Sequence, residues 1–209
     1  NHEMCVECGA CRAACPFGAI DERSSIVPVI MSIKTGSKVI AMVAPSIVGQ
    51  FGLKVKADQI YTALKMAGFA DVVEVAIGAD IVSVEEAEEY IEKVPAKQPF
   101  MTSSCCPAFV NIVKKYVPDA ADKVSHMVSP MVATGRWLKE QYPDATTVFI
   151  GPCIAKKGEA KGYPEYIDYV LTFEEAMCLM EGKDIKVENV EAAEFERDGS
   201  KIGLGFPLA

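Results

Sequence analysis

Cys105 and Cys106 stand side by side in Thr102-Ser103-Ser104-Cys105-Cys106-Pro107, after an apolar segment and before a helical one. Neighbouring cysteines rarely bond to each other, because their Cβ vectors cannot reach bridging geometry without distorting the peptide between them. The two sulfurs are therefore expected to do different work. Pro107 has its φ preset for a first helical turn and no N–H to lose there, which puts the pair at a helix N-terminus. Free N–H groups and the helix dipole favour thiolate at such a place, the form that binds metal or exchanges a proton near neutral pH.

The chain has eight cysteines, at 5, 8, 11, 15, 105, 106, 153 and 178. Cys5-x2-Cys8-x2-Cys11-x3-Cys15-Pro16 has the spacing of a bacterial-type ferredoxin ligand run, in which three cysteines bind one 4Fe-4S cluster and the fourth ligates a second. Two-residue gaps let one tight loop wrap a cube of iron and sulfur while its backbone N–H groups face the sulfides. Gly9 and Ala10 keep that loop slim. A zinc site or a disulfide knot fits the spacing far less well. Glu3 and Glu7 read as solvated charges, and His2 and His126 as lone histidines in surface or capping roles. One run is half of a two-cluster module, so Cys15 either ligates alone or serves a cluster whose other ligands lie outside this chain.

These thiols need a scaffold, and from Lys38 onward apolar strands alternate with amphipathic helices. Strands are expected at Lys38 to Val43, Val72 to Val75, Pro99 to Thr102, Thr146 to Ile150 and Tyr169 to Leu171. Helices are expected at Lys56 to Met66, Val84 to Val94, Pro107 to Tyr116, Pro130 to Tyr142 and Phe173 to Glu181. Arg12 to Ala19 reads as a short helix and turn. Residues 21–37 read as a linker whose apolar stretch Ile26 to Ile33 pairs as a strand or docks on the next domain. The pattern implies an α/β fold, a mostly parallel sheet flanked by helices on both faces. Residues 1–37 would form a small ferredoxin-like 4Fe-4S segment with its linker, and 38–209 the main domain. Such sheets bind ligands beyond the carboxyl ends of their strands. That rule brings Cys105 and Cys106 to the same rim as Gly151-Pro152-Cys153-Ile154-Ala155-Lys156-Lys157-Gly158-Glu159.

Composition narrows the classes. A formal charge of −8 at pH 7 argues against nucleic-acid binding. The clustered Lys114, Lys115, Arg136, Lys139, Lys156, Lys157 and Lys161 read for the most part as solvated helical faces. No apolar run approaches the roughly 20 residues of a membrane span. Neither a signal peptide nor a span is visible, so a cytoplasmic location is expected. Asn1 at the start and the apolar ending at Ala209 suggest a piece of a longer protein. Cys178, flanked by apolar residues at helical spacing, reads as a core thiol, and Trp137 and the methionines as core filling.

Taken together, Thr102-Ser103-Ser104-Cys105-Cys106-Pro107, the segment from Gly151 to Glu159 and the ferredoxin run resemble the iron-only (FeFe) hydrogenases. The resemblance covers the first lobe of that family's two-lobed catalytic domain. It implies an H-cluster, a 4Fe-4S cube joined through a cysteine sulfur to a two-iron subsite carrying carbon monoxide, cyanide and a bridging dithiolate amine. By motif, Cys106 and Cys153 would ligate the cube, and Cys105 would be the proton-transfer thiol facing the amine. Lys156 would hydrogen-bond a cyanide, and Glu159 would serve the proton path. Cys5, Cys8, Cys11 and Cys15 would hold the electron-carrying cluster. The implied activity is reversible interconversion of hydrogen with protons and electrons, in an anaerobe. The implied partners are ferredoxin or a similar electron carrier and a second lobe of the same parent chain.

Some residues depart from the family pattern. An extra serine precedes the cysteine pair, Phe109 stands where tryptophan is usual, and Gly151 stands where the family has a methionine before Pro-Cys. These changes resemble a divergent, sensory branch, so a redox- or hydrogen-sensing protein is the second reading. An iron–sulfur carrier or assembly protein is the third, though a carrier has no need of a proton-relay thiol beside a ligand. The family's Gly-rich motif with two more cysteines is absent, leaving two of four cube ligands in this chain and predicting that the chain alone is inactive.

Overall fold

Four short apolar runs make one sheet in the computed structural model, which describes residues 3–193, 195 and 199–200. His2 lies outside the described residues. The strands are β1 (Val39–Val43), β2 (Asp71–Glu74), β3 (Thr146–Gly151) and β4 (Tyr169–Thr172). They lie in the order β2-β1-β3-β4, and every pair is parallel. All five positions of β1 are buried, as are the last five of β3. Successive strand residues point to opposite faces, so both faces of the sheet are covered, and the strands read as continuous apolar runs.

The helices are α1 (Ala10–Ala14), α2 (Ile26–Lys34), α3 (Ala57–Met66), α4 (Ala76–Lys93), α5 (Pro107–Tyr116), α6 (Pro130–Gln141), α7 (Ala155–Ala160) and α8 (Phe173–Glu181). Packing onto the sheet comes from α6 against β1 and β3, and from α8 against β3 and β4. The core is built from Ile40, Met42, Ile60, Leu64, Met131, Leu138, Ile150, Leu171 and Met180, none more than 1% exposed. Trp137 packs against it half-buried. The fold agrees with the α/β expectation.

Three local expectations are corrected. Ile26 to Ile33 is a helix, not a strand, and it docks on the main domain as the other reading expected: α2 buries Val29 completely and packs Ile26, Ile30 and Ile33 on the core while Val27 and Met31 face solvent at 71% and 54% exposure. Pro28 sits in its first turn, where the missing N–H costs nothing. Pro99 to Thr102 is no strand; only Thr102 makes an isolated parallel bridge, to Val124. The helix expected at Val84 begins at Ala76, because Ala76, Gly78, Ala79 and Val82 form its buried face and the glutamates that follow mark only its outer part. Cys178 is also corrected. It is exposed, since Ala176, Leu179 and Met180 take the inward positions of α8.

The strand order creates the place for a site. From β1 the chain goes to β2 on one side, while β3 lies on the other. Ligands of open α/β sheets bind at such a reversal, outside the carboxyl ends of the two diverging strands.

Candidate functional site

Beyond the end of β1 lie Ala44, Pro45 and Ser46, and beyond β3 lie Pro152 and Cys153. With Cys105, Cys106, Pro107, Val75, Ala79, Pro130, Met131, Phe149 and Lys156 they line a cleft of about 280 Å³. Its walls are apolar apart from three thiols, the Ser46 hydroxyl and one ammonium. The loop from Pro99 to Cys106 reaches it without a strand beneath it, pinned by Thr102 N–H to Lys123 O at 2.9 Å and Ser125 N–H to Thr102 O at 2.7 Å. Cys106 is the N-cap of α5 with Pro107 in its first turn, as Pro107 implied. Cys105 and Cys153 are half-buried and Cys106 is exposed.

Lys156 ties the loop after β3 to the loop that carries the cysteine pair. Its Nζ donates to Cys105 O at 2.9 Å and to Glu159 Oε2 at 2.7 Å, with both side chains nearly buried. Glu159 thus stands as the counter-charge of Lys156. Lys157, next in sequence, points the other way and donates to Glu175 Oε2 at 2.8 Å. Among the clustered cations, these two are not solvated, and neither is Lys139, which pairs with Asp168 at 2.9 Å.

Two acidic residues lie along α4 behind the cysteine pair. Glu86 accepts from the Ser103 hydroxyl at 3.1 Å and from the Ser104 N–H at 3.2 Å, and the Cys105 N–H faces Ser103 Oγ at 3.4 Å. Glu89, one turn further out, is buried and accepts from Ser125 Oγ at 2.6 Å. His126 sits at the surface, as expected, but it is not alone, since its Nδ1 lies 2.7 Å from Glu89 Oε1. Ser46, Glu86 and Glu89 were not singled out from sequence. The switch-point rule applied to the end of β1 would have found Ser46. The two glutamates looked like a solvated helical face until the serine-rich loop was placed against them.

The N-terminal loop docks beside this cleft. Cys5 O accepts from Lys115 Nζ at 2.7 Å, Met4 O from the Tyr116 hydroxyl at 2.8 Å, and Gly9 lies against the Ile154 side chain. Glu7 is half-buried, with its carboxylate against Gly158, and so is not a simply solvated charge. Gly9 has φ of 82°, where a side chain would be strained, at the tightest bend of the cysteine loop. Cys5 Sγ accepts from the Glu7 N–H at 3.4 Å. The Cys15 thiol is held below its ordinary value because the N–H of Phe17, then that of Ala19, points at its sulfur.

Sulfurs wrapped by backbone N–H groups suit an anionic iron–sulfur cube, whose thiolates and sulfides need donors around them. Among the described residues no three His, Cys, Asp or Glu side chains converge as they would on one metal ion. A cube is broader than an ion, and its ligands stand around it rather than together. In the strand-end cleft the fit is also good: an apolar wall, three thiols, and an ammonium with two of its three donors already used.

Residues 37–209 match the family model described as the iron only hydrogenase large subunit, C-terminal domain. The chain belongs to the iron-only hydrogenase family. Residues 1–21 match a 4Fe-4S binding domain, and the cofactors of this family are a 4Fe-4S cluster and the H-cluster. Iron hydrogenase 1 of Clostridium pasteurianum is 33% identical over 217 residues, which cover 91% of this chain and 37% of that protein. The NADP-reducing hydrogenase subunit HndD of Solidesulfovibrio fructosivorans is 28% identical, over 92% of this chain and 38% of that one. The periplasmic Fe hydrogenase large subunit of Nitratidesulfovibrio vulgaris is 33% identical, over 76% and 50%. A variant of the apo FeFe-hydrogenase HydA1 from Chlamydomonas reinhardtii superposes with a TM-score of 0.73 at 23% identity, over 87% of this chain and 54% of that one, a likeness of fold. The chain thus spans between about a third and a half of the hydrogenases it matches.

Proposed function

We propose that this chain is the first lobe of a catalytic iron-only hydrogenase that interconverts hydrogen with protons and electrons and draws its electrons from ferredoxin or a similar carrier. The observation that carries this reading is the meeting of Cys105, Cys106, Cys153 and Lys156 in one apolar cleft at the switch point of the sheet. Residues 1–37 are read as the 4Fe-4S segment and its linker, and 38–209 as the lobe. Cys5, Cys8, Cys11 and Cys15 are the ligands of the N-terminal segment. Cys106 and Cys153 hold the cube of the H-cluster, with the remaining ligands supplied by a second lobe of the parent chain, so this chain alone is inactive. The two-iron group, when bound, supplies the electron-rich centre on which hydrogen is made or split.

The residues of this chain provide what that chemistry needs around it. The apolar walls formed by Val75, Ala79, Met131 and Phe149 lower the local dielectric on their side of the cleft, which strengthens the charges that face it. Lys156 offers its third donor to an anionic ligand, and its positive charge offsets the cost of burying one. Glu159 holds Lys156 in that orientation, and we assign it this positioning role ahead of the proton path expected of it. Cys105 takes and releases the proton at Sγ, half-buried at the edge of the cleft. Glu86 stands next, joined to the cysteine loop through Ser103 and Ser104.

Cys105→Ala in the assembled parent tests this. Hydrogen evolution is expected to fall at least about 100-fold, the range of a positioned proton carrier, with the 4Fe-4S spectra intact. Unchanged turnover would remove Cys105 from the route. We also propose a cytoplasmic location in an anaerobe, to be checked by cell fractionation, since one relative is periplasmic by name. No helix among the described residues is long and apolar enough to cross a membrane.

A further inference from the structure

Gly151 ends β3 and is buried, and its φ lies outside the left-handed region, so the backbone there does not call for glycine. Space does. A methyl group on Gly151 would overlap Cε1 and Cζ of the Phe149 ring and touch the Ala44 side chain at 3.5 Å. Residues two apart on a strand share one face, and the Phe149 ring leans along β3 over the glycine. Only 3% exposed, Phe149 lines the strand-end cleft, whereas Gly151 lies beneath the ring and does not.

The ring sits where the crevice is deepest. Met42 of β1 pairs with Phe149 of β3, and the Ala44 N–H donates to Ile150 O at 2.9 Å. Past that bond the two chains part, one into Pro45 and Ser46, the other into Pro152 and Cys153. The last residue beside the crevice is small on each side, Ala44 and Gly151, and one large ring covers the space between them. A side chain at 151 would have to push the ring out, and the space that the ring faces is the cleft. The cleft would then fill from below.

We propose that Phe149 is the specificity-determining floor of the strand-end cleft, and that it forms with Gly151 a size-matched pair that sets how deep a group can sit on Cys106 and Cys153. The inference rests on the reading of this cleft as the seat of the iron group. Gly151 stands where the family has methionine, a side chain with three rotatable bonds and a soft sulfur that can bind metal. Here the volume beyond β3 comes from residue 149 instead, as a stiff ring with no donor atom. The floor is apolar, so the polar partners of a seated anion stand only at its sides, the Ser46 hydroxyl at the end of β1 and the Lys156 ammonium across the cleft. A group seated there is oriented by those two and stopped by the ring.

The pairing is tested by melting of the chain itself. Leucine keeps the branch at Cγ and lacks Cε1 and Cζ, the two atoms that stand over Gly151. Gly151→Met alone is expected to lower Tm by roughly 5 °C, mid-range for overpacking in a chain of this size. In the Phe149→Leu background the same change is expected to cost less than roughly half as much, because neighbours that share one space are not additive. An equal loss in both backgrounds, or no loss in either, overturns the pairing.

The depth of the cleft is read on its thiols. In the chain free of iron, Phe149→Leu should speed alkylation of Cys153 by N-phenylmaleimide severalfold more than by iodoacetamide, because the reagent's own ring enters the vacated space. Cys178, exposed on α8, is expected to keep its wild-type ratio of the two rates. A merely structural role would quicken both reagents alike, so equal acceleration overturns the floor. Neither measurement needs a cluster, so both stand apart from the hydrogenase reading, which Cys105→Ala tests. In the assembled parent, Phe149→Leu should shift the infrared bands of the carbon monoxide and cyanide ligands while the 4Fe-4S spectra stay as they are. Unshifted bands would mean that the seated group does not rest on the ring, and the proposal fails.

Discussion

A buried carboxylate stays charged only if its neighbours outweigh the loss of water, and Glu89 shows how many neighbours that takes. Burial raises its carboxyl, while Lys93, Ser125 and His126 bring it to about 2 from an ordinary value of 4.5. The folded form thus binds a proton more weakly than the unfolded chain. Its contribution to stability is fully present above about pH 4.5 and is lost as pH falls toward 2. Urea unfolding at pH 6 and at pH 3 should show a larger acid loss in the wild type than in Glu89→Gln, which has no such proton to bind. Equal acid losses would mean that Glu89 is not held as a carboxylate. At this scale the sequence was legible where a residue announces its chemistry, as Cys105, Cys106, Cys153 and Lys156 do. It was silent for Glu86 and Glu89, whose partners lie on other elements. Ser103 joins Glu86 across 17 positions, and Ser125 joins Glu89 across 36.

Elements hold these residues at fixed separations, and the contact of α4 with α6 decides most. Gly78 on α4 lies against the Pro130 carbonyl and Thr134 of α6, and a methyl group there would overlap both. Glycine to alanine within a helix gains about 1 kcal/mol of propensity. Overpacking typically costs about 1–3 kcal/mol. Here the obstacle is backbone that cannot swing aside, so the overlap wins. Gly78→Ala is expected to lower Tm by up to about 8 °C, as a net loss of up to about 2 kcal/mol implies in a chain of this size. A raised Tm would show that the helices part freely. Because Pro130 and Met131 also line the cleft, the same variant should loosen the wall beside the cysteines. Strands and helices of the sheet were legible because buried parallel strands are apolar throughout and their helices amphipathic. The misread elements share a cause. Apolar residues of α2 face both the core and solvent, and the segment from Pro99 to Thr102 is apolar enough for a strand but pairs only through Thr102.

Over the whole molecule, two kinds of cohesion meet. The sheet and its helices share one apolar core, whereas α1 buries no residue of its own. Charges attach its segment to the lobe. Arg12 pairs with Glu174 at 2.8 Å while Asp21 and Glu22 hold it from within the segment, and Lys157 donates to Arg23 O at 3.1 Å beside its bond to Glu175. Exposed pairs weaken as salt shortens the Debye length from about 10 Å at 0.1 M to about 3 Å at 1 M, while apolar burial does not. Hydrogen exchange of residues 5–23 is therefore expected to speed up at high salt, and more so in Arg12→Met, while β1 and β3 keep their protection. Uniform protection at both salt concentrations would mean that the segment is carried by packing instead. A cluster segment held by charge beside a cleft held by packing can shift slightly without disturbing the cleft. If the segment carries electrons as proposed, such a shift would change the distance they must cross, and high salt is expected to slow their delivery in the assembled protein before it unfolds the lobe.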